Sequence, residues 1–163
     1  MDTIFTDVLS RLSQVPELRF VGEDWGQLNF DQPPVNFPCG LIDLSEVDYS
    51  DAGRNRQKAD AKLVITIADI RYDGIAAFNP AKVNEQAFLI FQIMEKVNSL
   101  IHGYGNEYHS KFSRKKIKKV EREDSIREFR MIYEFRFEDE TAMPELTRHP
   151  VPPNISLAEY DNL

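Results

Sequence analysis

A second cysteine is missing from this sequence. Cys39 stands alone, so no internal disulfide can form, and the chain does not read as a disulfide-stapled secreted module. Long apolar runs are missing as well. The longest, such as Ala87 to Phe91, fall far short of what crosses a bilayer. The opening residues MDTIFTDVLS carry an acid at the second position and no basic stretch ahead of their apolar residues, so they do not read as a signal peptide. Repeats at solenoid spacing and low-complexity tracts are absent. Neither G-x-G-x-x-G, a Walker A sequence, H-E-x-x-H, C-x-x-C nor G-x-S-x-G occurs, which removes local support for nucleotide binding or a familiar hydrolase. Cations are outnumbered, with 20 Lys and Arg against 27 Asp and Glu for a net charge of −7. That balance disfavours bulk attraction to nucleic acid or to an anionic membrane. The expectation is a soluble protein of a reducing compartment.

The strongest pattern present is REFRMIYEFRF, Arg127 to Phe137. Phe129, Met131, Tyr133, Phe135 and Phe137 alternate with Arg130, Ile132, Glu134 and Arg136, the period of a long strand with one large apolar face. Lys62 to Arg71 is apolar on both faces and reads as a central strand. Cys39 to Tyr49 reads as the strand before it. SDAGRNRQKADA, between Ser50 and Ala61, has no large apolar residue and reads as the long, mobile tip of a hairpin. A helix is expected from Asp2 or Thr3, which can cap it, to about Gln14, with Pro16 beyond its end. A short extended piece follows at Leu18 to Val21, then a loop or irregular edge from Gly22 to Gly40. The main helix runs from about Val83 to His102. Its apolar stripe, widened by Phe88, Leu89, Ile93 and Leu100, exceeds that of a surface helix, and Gly103 suits its C′ position. Lys115 to Val120 and Ile126 to Phe137 form a closing hairpin.

These elements predict an α+β fold: an antiparallel-rich mixed sheet of four to five strands with two helices packed on one face. Residues 1–140 make a single domain, and 141–163, with Pro144, Pro150, Pro152 and Pro153, make an extended C-terminal arm. The contact between the aromatic strand and the main helix is expected to be the centre of the fold.

Charge is unevenly placed. Arg114, Lys115, Lys116, Lys118, Lys119 and Arg122 crowd one short stretch, and the sequence after Phe137 is acidic. Basic and acidic zones on one molecule suit head-to-tail self-contact. The basic run is also a candidate for phosphate contact, although no aromatic residue interrupts it to make a stacking platform. A lysine-rich edge strand equally serves to block unwanted sheet pairing. Trp25 is the only tryptophan. It reads as a residue folded back over the core edge or, failing that, as an interface anchor. His102 and His109 bracket a Gly-Tyr-Gly loop and, with Glu107, are weak metal candidates against the simpler reading of a helix end and a polar loop. Asp60 and Lys62 form D-A-K beside Asp43 and Asp48, the residue types of a metal-dependent nuclease core; the plainer reading is a solvated hairpin base.

The layout resembles the phage tail-terminator and tail-completion proteins, neck-type minor tail proteins. The resemblance spans roughly Met1 to Glu140: a leading helix MDTIFTDVLSRL, then PVNFPCGLIDLSEVDY paired through a charged loop with DAKLVITIADIR, the helix VNEQAFLIFQIMEKVNSLIHGY, and closing strands KKIKKVER and IREFRMIYEFRFED. It implies a protomer of a homo-oligomeric ring, commonly a hexamer, that caps the tail tube and meets a tail-tube protein and a head-connector protein; such a protein is not an enzyme and has no cofactor. Its place would be the virion tail or neck, after assembly in the host cytoplasm. Contact residues expected on this reading are Arg54, Arg56 and Lys58 in the loop, Lys115, Lys116, Lys118 and Lys119 on the basic strand, and Trp25. The alternative readings are a nucleic-acid-associated module using 114–122, or a metal-dependent nuclease.

Overall fold

The computed structural model of the chain describes residues 1–71 and 74–143. The expected arm therefore lies, from residue 144 onward, outside the described residues. The element order is α1 (Asp2–Leu12), β1 (Phe20–Glu23), a 3-10 turn (Gln27–Asn29), β2 (Cys39–Gly53), β3 (Arg56–Ile70), α2 (Ala81–Ile101), β4 (Ser113–Val120) and β5 (Ile126–Asp139). The five strands form one mixed sheet in the order β1-β2-β3-β5-β4. β1 runs parallel to β2 and the remaining pairs are antiparallel. The fold is α+β. Among the described residues, no helix is long and apolar enough to cross a membrane.

The period-2 pattern of β5 sets the core. Its register places Ile67, Ile65, Leu63, Ala61 and Ala59 of β3 beside Phe129, Met131, Tyr133, Phe135 and Phe137 in turn. Those side chains share a cluster with Ile4, Val8 and Leu12 of α1 and with Ile90, Ile93, Met94, Val97 and Ile101 of α2, so both helices cover the same face. Each fully buried large side chain contributes about 1.5–3 kcal/mol relative to exposure. Strand and helix also meet directly, with the Phe91 and Phe129 rings edge to face at 5.6 Å.

Four features depart from the sequence expectations. The stretch 50–61 is not a mobile tip. β2 and β3 stay paired up to Gly53 and Arg56, and the chain reverses on Arg54 and Asn55, at φ 55° and 60°. Two central residues of positive φ make the tight hairpin turn that matches strand twist. The stretch lacks large apolar residues because Ala59 and Ala61 need only be small: Phe137 and Phe135 fill the layer beside them. Second, the 22–40 stretch is more than an edge loop. Its first residues extend β1, and Leu28, Val35 and Phe37 then pack with Cys39, Leu41, Ala68 and Ile126 on the sheet face opposite the helices. Third, Met1 and not Asp2 or Thr3 occupies the N-cap position of α1, with no side-chain capping hydrogen bond, and the helix ends at Leu12. Fourth, the widened apolar stripe of α2 is not wholly covered. Phe88 and Phe91 are exposed on its flank.

Candidate functional site

β4 ends the sheet, so one of its edges carries no strand among the described residues. The register shift between Arg114 and Lys116 lets Lys115 bulge outward. Beyond it, Lys116 and Lys118 stand opposite Ile132 and Arg130, on the face away from the helices, while Ile117 and Lys119 stand opposite Met131 and Phe129, on the helix face. Every residue from Arg114 to Lys119 is exposed. Of the five cations here, Lys115 alone has an ion-pair partner among the described residues, Glu134 at 3.7 Å. The structure thus brings Lys115, Lys116, Lys118 and Lys119 together as one basic edge.

Arg122 does not belong to that edge. It donates to the Leu28 carbonyl at 2.5 Å and to Glu128 Oε2 at 2.9 Å, and it also holds both carboxylate oxygens of Asp124. The hydrogen bond with Asp124, foremost, holds the guanidinium above its ordinary range and the Asp124 carboxyl below its own. The residue ties the β4–β5 turn to the 22–40 loop, a role its place in a basic run did not suggest.

Beside β4 the helix face is open. α2 covers β3 and β5, leaving Ile117, Phe88 and Phe91 at 43%, 44% and 37% exposure, with Phe129 half-buried below them. An apolar groove therefore runs between α2 and the basic edge. Sequence reading placed Phe88 and Phe91 within a buried stripe. What it missed is that the stripe is wider than the sheet beneath it.

The loop cations are not grouped with β4. Arg54 sits in the β2–β3 turn, Arg56 lies 3.8 Å from Glu140, and Lys58 lines an open cleft of about 820 Å³ bounded by the start of α1 and residues 106–110. Trp25 does not fold back over the core edge. It is 57% exposed and leans on Phe30, 54% exposed, with ring centroids 5.4 Å apart. Its turn is fixed by Gln27, whose side chain accepts from the Trp25 N–H at 2.9 Å, and by Gly26 at φ 89°. The Asp24 carboxylate below it accepts from Thr66 at 3.2 Å.

The two histidines do not converge. His109 is buried among Tyr104, Phe112 and Phe135, with Nε2 3.6 Å from Asp7. The exposed His102 uses Nδ1 to accept from the Arg114 N–H at 3.1 Å. Of the residues read as a nuclease core, Lys62 and Asp60 are otherwise engaged: Lys62 bonds Glu46, and Asp60 is 2.5 Å from Arg136. Asp43 is held above the usual carboxylate range, by burial first and then by Asp24 and Glu23. Among the described residues no group of three or more His, Cys, Asp or Glu side chains is placed to hold a metal ion.

No family model matches the chain, and no curated protein matches it. Among solved structures it is similar to a chain from the virion of a native gene transfer agent particle, at 14% identity and a TM-score of 0.47, covering 81% of this chain and 92% of that one. At that level of similarity no residue of this chain takes a role from the comparison.

Proposed function

We propose that this chain is a structural protein of a phage-like particle, of tail-terminator or tail-completion type. On this reading copies join head to tail into a ring that caps the tail tube, ends its growth and offers a face to the head connector. The observation that carries the reading is the basic edge. Arg114 to Lys119 line an open strand on a protein of net charge −7. Two such edges repel one another, so a twofold edge-to-edge pair is disfavoured. An acidic surface of a different part of the molecule is attracted, which is the heterologous contact a closed ring requires. The α+β layout of leading helix, β2–β3 hairpin, long helix and closing hairpin also agrees with the layout on which the sequence resemblance rests.

Deleting the gene from the element that carries it tests this reading. Tubes of uncontrolled length, or tubes of normal length without heads, are expected by electron microscopy. Particles with normal tails and attached heads overturn it.

A second reading draws on the same edge. Four cations, Arg114, Lys116, Lys118 and Lys119, are exposed and without an ion-pair partner among the described residues, which leaves them free to attract phosphates. On that reading the protein binds DNA or RNA, with affinity falling steeply as salt rises. Absence of binding to duplex and single-stranded probes at low salt removes it.

A further inference from the structure

The groove between α2 and β4 is apolar along its floor and basic along its rim. Ile117, Phe88 and Phe91 are exposed there; Lys119 shares their face, and Lys118, next to it on the edge strand, stands on the other. Its occupant should therefore carry isolated apolar side chains among acids. Residues 144–163, PELTRHPVPPNISLAEYDNL, have that composition: Val151, Ile155 and Leu157 lie apart from one another, and Glu145, Glu159 and Asp161 face Arg148 as the only Lys or Arg. Length permits the contact, because 20 residues reach at most about 66 Å when extended. Where the described chain ends bears on whose groove is filled. β3 and β4 flank β5 on opposite sides. Glu140, just past β5, is drawn to Arg56 on the β3 side at 3.8 Å. The last residues of β5, past Glu134, pair with β3 and have no partner on β4, so the described chain ends beyond its own β4.

We propose that residues 144–163 of one copy dock in the α2–β4 groove of the neighbouring copy. The contact is heterologous by construction: the acidic segment of each protomer is spent on the next, and the basic edge of each receives from the one before. This deepens the ring reading and rests on it.

The test uses full-length chains. Cys39 is fully buried and does not compete for exposed partners. Two single variants, Ile117→Cys in the groove and Leu157→Cys in the segment, are mixed under mild oxidation, one of them tagged so that the mixed pair resolves on a gel. A disulfide-linked mixed pair is expected, with its yield reduced several-fold when Lys118→Glu and Lys119→Glu are added. A control, Lys62→Cys on the opposite sheet face, should give none. Three outcomes overturn the proposal: no mixed pair, an equal yield with the Lys62→Cys control, or closure of the Ile117→Cys/Leu157→Cys double variant on itself at any dilution. Native mass spectrometry of the wild type separates this from the ring reading. Rings without the mixed pair sink the docking proposal alone, whereas absence of rings both in solution and on tail tubes sinks the reading beneath it.

Discussion

Arg122 Nη1 lies 2.9 Å from Glu128 Oε2, and the Glu128 side chain is only 2% exposed. Glu128 also accepts from Arg130 Nε at 2.9 Å through its other oxygen, so removing Arg122 leaves that charge partly compensated and costs charge-assisted hydrogen bonds rather than a whole buried pair. Arg122→Ala should therefore lower stability by ~2 kcal/mol and the melting temperature by about 4–8 °C. Arg122→Lys should recover little, because a compact ammonium cannot reach Asp124, Glu128 and the Leu28 carbonyl together. Urea denaturation checks both. A variant as stable as the wild type would mean that the 22–40 loop is held without this side chain.

Tyr133 carries the strand–helix contact. It is fully buried, and its hydroxyl donates to Asn98 Oδ1 of α2 at 3.3 Å. Tyr133→Ala should cost ~3–5 kcal/mol through the cavity left behind. Tyr133→Phe removes only the hydrogen bond and should cost ~0.5–1.5 kcal/mol. A large loss in the second variant would place the stabilisation in the hydrogen bond rather than in packing.

The β2–β3 turn stores strain that can be relieved. Arg54 has φ 55°, a left-handed conformation that costs a side-chain-bearing residue roughly 1–2 kcal/mol. Arg54→Asn with Asn55→Gly supplies the pair this turn prefers and should raise stability by about 1 kcal/mol. Thermal unfolding measures it, and an unchanged or lower midpoint counts against the turn.

Cys39 reports on unfolding. Burial pushes its thiol up to about 12, against about 8.5 for an exposed cysteine. Between those values the unfolded chain has released the proton and the folded chain has kept it. Stability should therefore fall as pH rises through that window, by up to about 1.4 kcal/mol per unit from this group. At pH 8 an aromatic disulfide reagent should label the native protein only as fast as it opens. Prompt labelling of folded protein would contradict the burial.

How much of this was legible in the sequence depended on whether a residue's neighbours lie near it in the chain. The alternation of Phe129 to Phe137 and the two-faced apolarity of β3 named the strands and the central position, because period follows from backbone geometry alone. The Arg54–Asn55 turn was hidden because its signal is a pair of positive φ angles, one of them at an arginine, which rarely adopts it. Arg122 looked like one more surface cation, since Leu28 and Glu128 come to it only through the fold. Phe88 and Phe91 looked buried because helix periodicity says which residues share a face and not how far the sheet below extends.

Reversing charge on two separate surfaces distinguishes which one assembles. The first set is Arg54→Glu, Arg56→Glu and Lys58→Glu; the second is Lys115→Glu, Lys116→Glu, Lys118→Glu and Lys119→Glu. Both should fold, because the ion pairs they break are exposed: Arg56–Glu140 at 3.8 Å and Lys115–Glu134 at 3.7 Å. Such pairs are each worth ~1 kcal/mol or less. Circular dichroism should thus be unchanged, with melting temperature within a few degrees. Assembly is another matter, since like charges brought together in a contact cost several kcal/mol. The β4 set should abolish oligomers by native mass spectrometry, and the turn set should leave them while weakening capping of tubes seen by electron microscopy. If the β4 set assembles as the wild type does, the basic edge serves only to keep strands of different molecules apart, and the ring contact must be sought elsewhere. If the turn set still caps tubes normally, Arg54, Arg56 and Lys58 have no part in docking.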